Sequence, residues 1–368
     1  MVDESNMSKV LESLDEDVGK GNKQNKPDKV KPTKNILSVG LDVGTMYIGC
    51  SRSDLDEVKL LRNVFLPLSK DDVTISDLTD ISYVEDDEEN LYIIGDDAFT
   101  FSNIFGQKVS RPMEKGLISP KEISAIDVLT LMIRSLFGNI ENKEVYCSYS
   151  IPAEAIDEGK SVTYHEQVFA RILSGLGVNY TSVNEAMAIV YSEAAKENFS
   201  AMAISFGAGM CNTALSFKGV DVLKFSTARS GDWVDSNAAE SIGVLQNRVT
   251  SIKEKYLDLE EGFANQKNKK TRRVLEALTY YYTSLMEYTI KKIIHEFSEQ
   301  VDVEIDTGVP LIISGGTSLP NGFIDLFKSV LSKYELPFEI TEVRRARNPL
   351  TAVSNGLLIK TLSDVRSL

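Results

Sequence analysis

The pattern of apolar and polar positions changes abruptly at Ile36. Before it, "DEDVGKGNKQNKPDKVKPTKN" is almost devoid of apolar residues and cannot bury enough surface to offset its ordering entropy, so residues 1–35 read as a disordered tail. Within that tail, "MSKVLESL" could form one or two helical turns on a partner. After it, "NILSVGLDVG" is an apolar run that predicts a buried strand, and "MYIGCSRSD" predicts its hairpin partner across a Gly-Thr turn. "LYIIGDDAF" predicts a strand and a turn. "SAIDVLTLMIRSLFG" carries apolar residues at helical spacing and ends in Gly. "EVYCSYSIP" is a strand stopped by Pro152, "YHEQVFARILSGLG" an amphipathic helix ended by Gly, and "NYTSVNEAMAIVYSEAA" a short strand running into a helix.

The same plan then begins again. "SAMAISFGAGMCNTALSFKG" predicts a strand, a Gly-rich turn and a second strand, and "GVDVLKFSTARSG" a third. A long helical region follows, interrupted by the polar loop "NQKNKK". In its last part Val274, Leu278, Tyr281, Leu285, Thr289, Ile293 and Phe297 fall near one face. "VPLIISGGTSLPNGFIDLFKSVL" gives a strand, a Gly-Gly turn and a helix, and "PLTAVSNGLLIKTL" a final helix. Two halves that each open on a strand–turn–strand unit amount to an internal duplication of plan. A nucleotide lying between them would meet a glycine turn from each.

Composition narrows the chemistry. The chain has 368 residues, 42% of them apolar, and a formal net charge of −14, which argues against a nucleic-acid wrapper and a basic membrane-surface protein. Cys50, Cys147 and Cys211 are sparse and widely spaced, the pattern of buried small residues in a reducing compartment rather than of a disulfide framework or a zinc site. Two histidines, His165 and His295, give little support to a histidine-based metal site or a Ser-His-Asp triad. No apolar run approaches the roughly 20 residues of a membrane span. The acidic, polar N-terminus does not resemble a signal peptide. A cytoplasmic location is the expectation.

The candidate chemistry sits in three turns. In "DVGT", Gly44 lets backbone approach a phosphate, Thr45 adds a hydroxyl, and Asp42 is placed to hold Mg²⁺ through waters. Standing alone, this motif is better explained as a plain hairpin turn. "SFGAGMCNT" supplies Gly207 and Gly209 at the end of another buried strand, and "SGGTSLPNG" pairs two glycines ahead of a helix. Each could be a tight turn. Three in this order are harder to explain as turns alone. "TYYYTSLMEY" reads as core or a subunit contact. "VRRAR", the one basic cluster, reads as a solvated loop or a contact for an acidic neighbour.

"GLDVGTMYIG", "VNEAMAIVYS", "ISFGAGMCNTAL" and "LIISGGTSLPNG" stand in the order of the phosphate-1, connect-1, phosphate-2 and adenosine motifs, and the chain resembles the actin superfamily from residue 36 to about 365. "RPMEKGLIS" and "NPLTAVSNGLLI" are similar to the bacterial and archaeal actin homologues of the MreB and MamK type. The resemblance implies an α/β actin-like fold, a duplicated ribonuclease H-like arrangement of two domains around a nucleotide cleft. One domain would span residues 36–190 and the other 191–368.

It also implies roles. Asp42 would sit near the metal. Gly44, Thr45 and Met46 would present backbone to the phosphates from one domain, and Gly207, Ala208 and Gly209 from the other. Glu185 would orient the attacking water. Gly231 and Asp232 would form the glycine turn near the phosphates. Lys253 and Glu254 would meet the edge of the base, and Gly315, Gly316, Thr317 and Ser318 would line the adenosine. Ser205 stands where the family carries an aspartate, which leaves Mg²⁺ to Asp42, Glu185 and the phosphates and implies slow hydrolysis or a nucleotide that locks a conformation.

The expected cofactors are ATP and Mg²⁺, the expected activity ATP hydrolysis, and the expected partner a second copy of the chain, assembled head to tail into cytoskeletal filaments. The tail could reach an adaptor, and no nucleic-acid partner or transmembrane segment is expected. The alternatives are a non-polymerising scaffold or switch, and a small-molecule kinase of the same superfold, for which no general-base motif is evident.

Overall fold

The computed structural model describes residues 35–68, 81–105, 109–122, 124–159, 161–301 and 307–368. The expected tail, apart from Asn35, and its short helix lie outside them.

Strands β1 (Ile36–Val43), β2 (Tyr47–Arg52) and β3 (Lys59–Arg62) run antiparallel to one another. A small sheet of β4 (Phe65–Leu68), β5 (Tyr83–Glu85) and β6 (Leu91–Ile94) comes next, with helix α1 (Gly95–Phe105) after it. "GDDAF", expected as a turn, is the start of α1. Its two aspartates lie in the first helical turn, where the exposed N–H groups favour negative charge. A hairpin of β7 (Met113–Glu114) and β8 (Leu117–Ile118) leads to helix α2 (Ala125–Phe137). Then β9 (Glu144–Ile151), α3 (Thr163–Gly175) and β10 (Asn179–Asn184) place two parallel strands beside β1, giving the order β10-β9-β1-β2-β3.

Helix α4 (Glu185–Glu193) leads into the second sheet. Strands β11 (Ala201–Phe206), β12 (Cys211–Phe217) and β13 (Val220–Thr227) are antiparallel. They are followed by α5 (Gly231–Ile242), α6 (Gln246–Tyr256) and α7 (Lys269–Gln300). Strand β14 (Val309–Ser314), helix α8 (Phe323–Leu331) and strand β15 (Ile340–Arg345) complete the order β13-β12-β11-β14-β15. The two five-stranded sheets have the same order and the same strand directions, so the duplication of plan is one of topology.

Each sheet has its own apolar core, one around Leu41, Phe137 and Phe169 and the other around Phe206, Tyr282 and Phe323. Along α7 the buried stripe runs Val274, Leu278, Tyr282, Leu285, Thr289, Ile293 and Phe297. Tyr282, not the expected Tyr281, reaches the core, packing edge-on to Phe323 at 6.0 Å, while Tyr281 is half-buried against Trp233. Tyr280 next to them is 69% exposed. All three cysteines are buried and unpaired.

The helices that close each half are exchanged. Helix α4 follows the first sheet but packs on β11 and β12, and α9 (Ala352–Arg366) follows the second sheet but packs on β1 and β9. The two helices cross in backbone contact, because a Cβ on Gly356 would overlap the carbonyl of Ala188. Thr361 Oγ1 then reaches 2.9 Å to the Val39 carbonyl of the first strand. "VRRAR" is mostly strand rather than loop, with Ala346 and Arg347 beyond its end and Arg347 65% exposed. Arg344 and Arg345 lie in β15, and Arg344 pairs with Glu193, Glu197 and Glu342, fastening the end of α4. Among the described residues no helix is long and apolar enough to cross a membrane.

Candidate nucleotide site

The two hairpin tips face each other between the sheets, and they are built alike. Gly44 N–H donates to the Tyr47 carbonyl at 2.9 Å, and Gly207 N–H donates to the Met210 carbonyl at 3.0 Å. A Cβ at either glycine would stand 2.8 Å from that carbonyl oxygen, so the hairpin closes this way only without a side chain. The hydrogen bond needs no ligand, which is why one motif by itself cannot separate a phosphate grip from an ordinary turn. The decisive observation is how close the tips come. A Cβ on Gly209 would overlap both Thr45 Oγ1 and the backbone of the β7–β8 hairpin, whose Gly116 N–H donates to Thr45 Oγ1 at 2.9 Å.

The equivalent strand positions before the two tips carry Asp42 and Ser205. Asp42 accepts from Ser150 Oγ at 2.8 Å, and the same hydroxyl takes the Val43 N–H at 3.0 Å. Ser150 lies on β9, next to β1 in the sheet. Glu185 is the first residue of α4, capped by Asn184, whose side chain accepts from Ala186 N and Met187 N. The Glu185 carboxylate is held at both oxygens: Ser205 Oγ donates to Oε1 at 2.6 Å and Asn212 Nδ2 donates to Oε2 at 2.8 Å. Ser205 and Asn212 are cross-strand partners in the β11–β12 register. Ser205 therefore orients Glu185, and Asn212, fixed in turn by the Ser226 hydroxyl, shares that work.

Burial pushes Asp42 up to about 6, with the Ser150 hydrogen bond opposing. Burial, with added repulsion from Asp42, pushes Glu185 up to about 8 against the pull of Ser205. Two carboxyls that each resist ionisation are a natural seat for a divalent cation, which would relieve both burial and repulsion. Among the described residues no three Asp, Glu, His or Cys converge to hold a metal by themselves. Mg²⁺ held here would keep waters and share phosphate oxygens rather than sit in an all-protein cage.

The second tip is anchored through one carbonyl. Gly207 O accepts from Ser230 Oγ at 2.6 Å, Thr317 Oγ1 at 2.7 Å and Gly231 N at 3.1 Å. Asp232 N donates to Ala208 O at 2.7 Å. Thr317 thus fastens the tip with its hydroxyl, and Ser318 Oγ turns back to Gly315 O at 2.7 Å. Gly315, with φ of +90°, runs against the Phe206 backbone, and Gly316 meets Leu350.

Lys253 and Glu254 lie on α6, and both are engaged. Lys253 Nζ pairs with the buried Asp235 at 2.8 Å; burial lowers its pKa and Asp235 raises it, with a net rise. Glu254 faces Arg62 of β3 across the cleft at 3.5 Å. Met46, at the first tip, has Arg111 Nη2 3.4 Å and Arg62 Nη1 3.8 Å from its sulfur. Sequence reasoning missed Ser150, Asn212, Arg62, Arg111 and Gly116. The register of the β11–β12 hairpin could have found Asn212, opposite Ser205. The others come from segments far away in the chain.

The family model described as Volactin matches residues 37–361. The chain belongs to the volactin family. No curated protein matches it. Among solved structures, this volactin-family chain is similar to a MamK double helical filament, with a TM-score of 0.66 and 18% identity over 90% of this chain and 99% of that one. It is similar to MreB5 of Spiroplasma citri bound to ADP, with a TM-score of 0.61 and 13% identity over 91% and 98%. A third likeness is the ethanolamine utilization protein EutJ from Carboxydothermus hydrogenoformans, at 0.52 and 17% over 90% and 92%. At these identities the likeness is one of fold: the volactin-family chain has the prokaryotic actin-like fold.

Proposed function

We propose that this chain binds ATP with Mg²⁺ between its two hairpin tips, hydrolyses it slowly, and assembles head to tail into filaments. The observation that carries the reading is the pair of matched tips converging beside two carboxyls that burial keeps from ionising easily. With the Gly44 and Gly207 N–H groups closing the hairpins, those of Thr45 and Met46 and of Ala208 and Gly209 would bind phosphate oxygens, and Gly315–Ser318 would line the nucleoside. Mg²⁺, when bound, would neutralise phosphate charge next to Asp42 and Glu185. Phosphoryl transfer to water needs positioning more than covalent chemistry. Glu185, with both oxygens already accepting, orients a water instead of acting as a strong base, which favours a slow cycle.

Two of the similar structures support the assembly reading: one is a MamK double helical filament, another a non-polymerising MamK mutant bound to AMPPNP. A head-to-tail contact that does not close on itself propagates as a filament. Sedimentation with and without ATP and Mg²⁺, with the pellet viewed by negative-stain electron microscopy, tests it. Nucleotide-dependent filaments are expected. A protein that binds ATP yet stays soluble across a wide concentration range would replace this reading with that of a scaffold or switch, which the engaged state of Glu185 also suits.

A further inference from the structure

Arg111 precedes the β7–β8 hairpin and spans the gap between the two tips. Its Nη1 donates to Asp232 Oδ2 at 2.8 Å, and Asp232 is the residue whose N–H rests on the Ala208 carbonyl of the second tip. Its Nη2 points to the Met46 sulfur of the first tip at 3.4 Å. These two partners are unequal. A carboxylate is a strong, charge-assisted acceptor, whereas a thioether is a weak one. One arm of the guanidinium is therefore fixed, and the other rests on a contact that any phosphate oxygen would improve on. Arg62 touches the same sulfur but is fully employed. It holds Asp96 at 2.7 Å, the Tyr47 hydroxyl at 2.9 Å and Glu254, and it lies over the Phe99 ring.

We propose that Arg111 is a ligand of the nucleotide's polyphosphate, keeping Asp232 on Nη1 while Nη2 moves from the Met46 sulfur to a phosphate oxygen. The proposal rests on the nucleotide reading above. It gives Asp232 the role of orienting that cation. The planar fork matters, because a lysine's three donors rotate on a flexible stem and do not pre-set the two directions toward a carboxylate and a phosphate.

The test is equilibrium binding by calorimetry to the full chain and to its Arg111→Ala and Arg111→Lys variants, with Mg²⁺·ATP, tripolyphosphate and adenosine as probes. Losing one charge-assisted contact should weaken ATP and tripolyphosphate by roughly ten- to a hundredfold in Arg111→Ala, and Arg111→Lys should recover only part of it. Adenosine should bind all three proteins alike. Unchanged tripolyphosphate and ATP affinity in Arg111→Ala would overturn the assignment, as would an equal loss for adenosine, which would mark a purely structural clasp. If the unmutated chain bound neither ATP nor tripolyphosphate, the nucleotide reading itself would fall, and this one with it.

Discussion

Glu185 concentrates the chemistry of the site on a single side chain. A carboxyl that holds its proton more tightly in the folded than in the unfolded chain adds stability below its unfolded value, and that contribution disappears as pH rises through the folded value. Asp42 and Glu185 are both shifted upward, to about 6 and about 8. The melting temperature of the nucleotide-free protein should therefore fall as pH rises from about 5 to about 8, and Glu185→Gln should flatten the upper part of that fall. At pH 7, Mg²⁺·ATP should displace about one proton, since cation binding needs the ionised carboxylates. Calorimetry in two buffers of different ionisation heat measures this directly, and zero proton release would contradict the pairing. Asp42 and Glu185 were legible in the sequence because each abuts a recognisable motif. Ser150 was not, because a side chain that steadies a carboxylate from another strand carries no local signature, and Asn212 would have needed the hairpin register that sets it opposite Ser205.

At the scale of elements, the strands at Ile36 and Ala201 and the tips that follow them could be read directly, since a buried strand must be apolar and a tight tip must carry glycine. The failures have physical causes. "GDDAF" looks like a turn because Gly and Asp favour turns, yet the same aspartates suit the first turn of a helix. "VRRAR" looks solvated because its partners, Glu193 at the end of α4 and Glu197 in the turn after it, lie some 150 residues earlier. The crossing of α4 and α9 was illegible for the same reason: Gly356 looks like a weak spot in a helix until Ala188 is laid against it. Gly356→Val should destabilise the protein by about 3 kcal/mol or more, because the intruding atoms meet backbone that cannot repack. Thermal unfolding checks this. A melting temperature within a degree of the unmutated protein would mean that the crossing is looser than described.

The whole molecule carries a formal charge of −14, so copies stacked head to tail repel one another. Assembly should therefore strengthen as ionic strength rises from about 0.02 M to 0.15 M, where screening shortens to roughly 8 Å. The critical concentration from sedimentation should drop over that range. A rise would mean that attractive ion pairs across the contact outweigh the net charge.

The exchange of α4 and α9 also has a consequence for how the chain is made. Val39 and Thr361 are 322 positions apart, yet their hydrogen bond helps cover the first sheet. At usual rates of protein synthesis, on the order of tens of seconds separate the appearance of β1 from that of the helix that covers it. Through that interval the face of the first sheet lined by Gly40, Gly49, Ser51 and Ser148 lacks the helix that packs on it. The first half therefore reaches its final packing only when the last helix has been made.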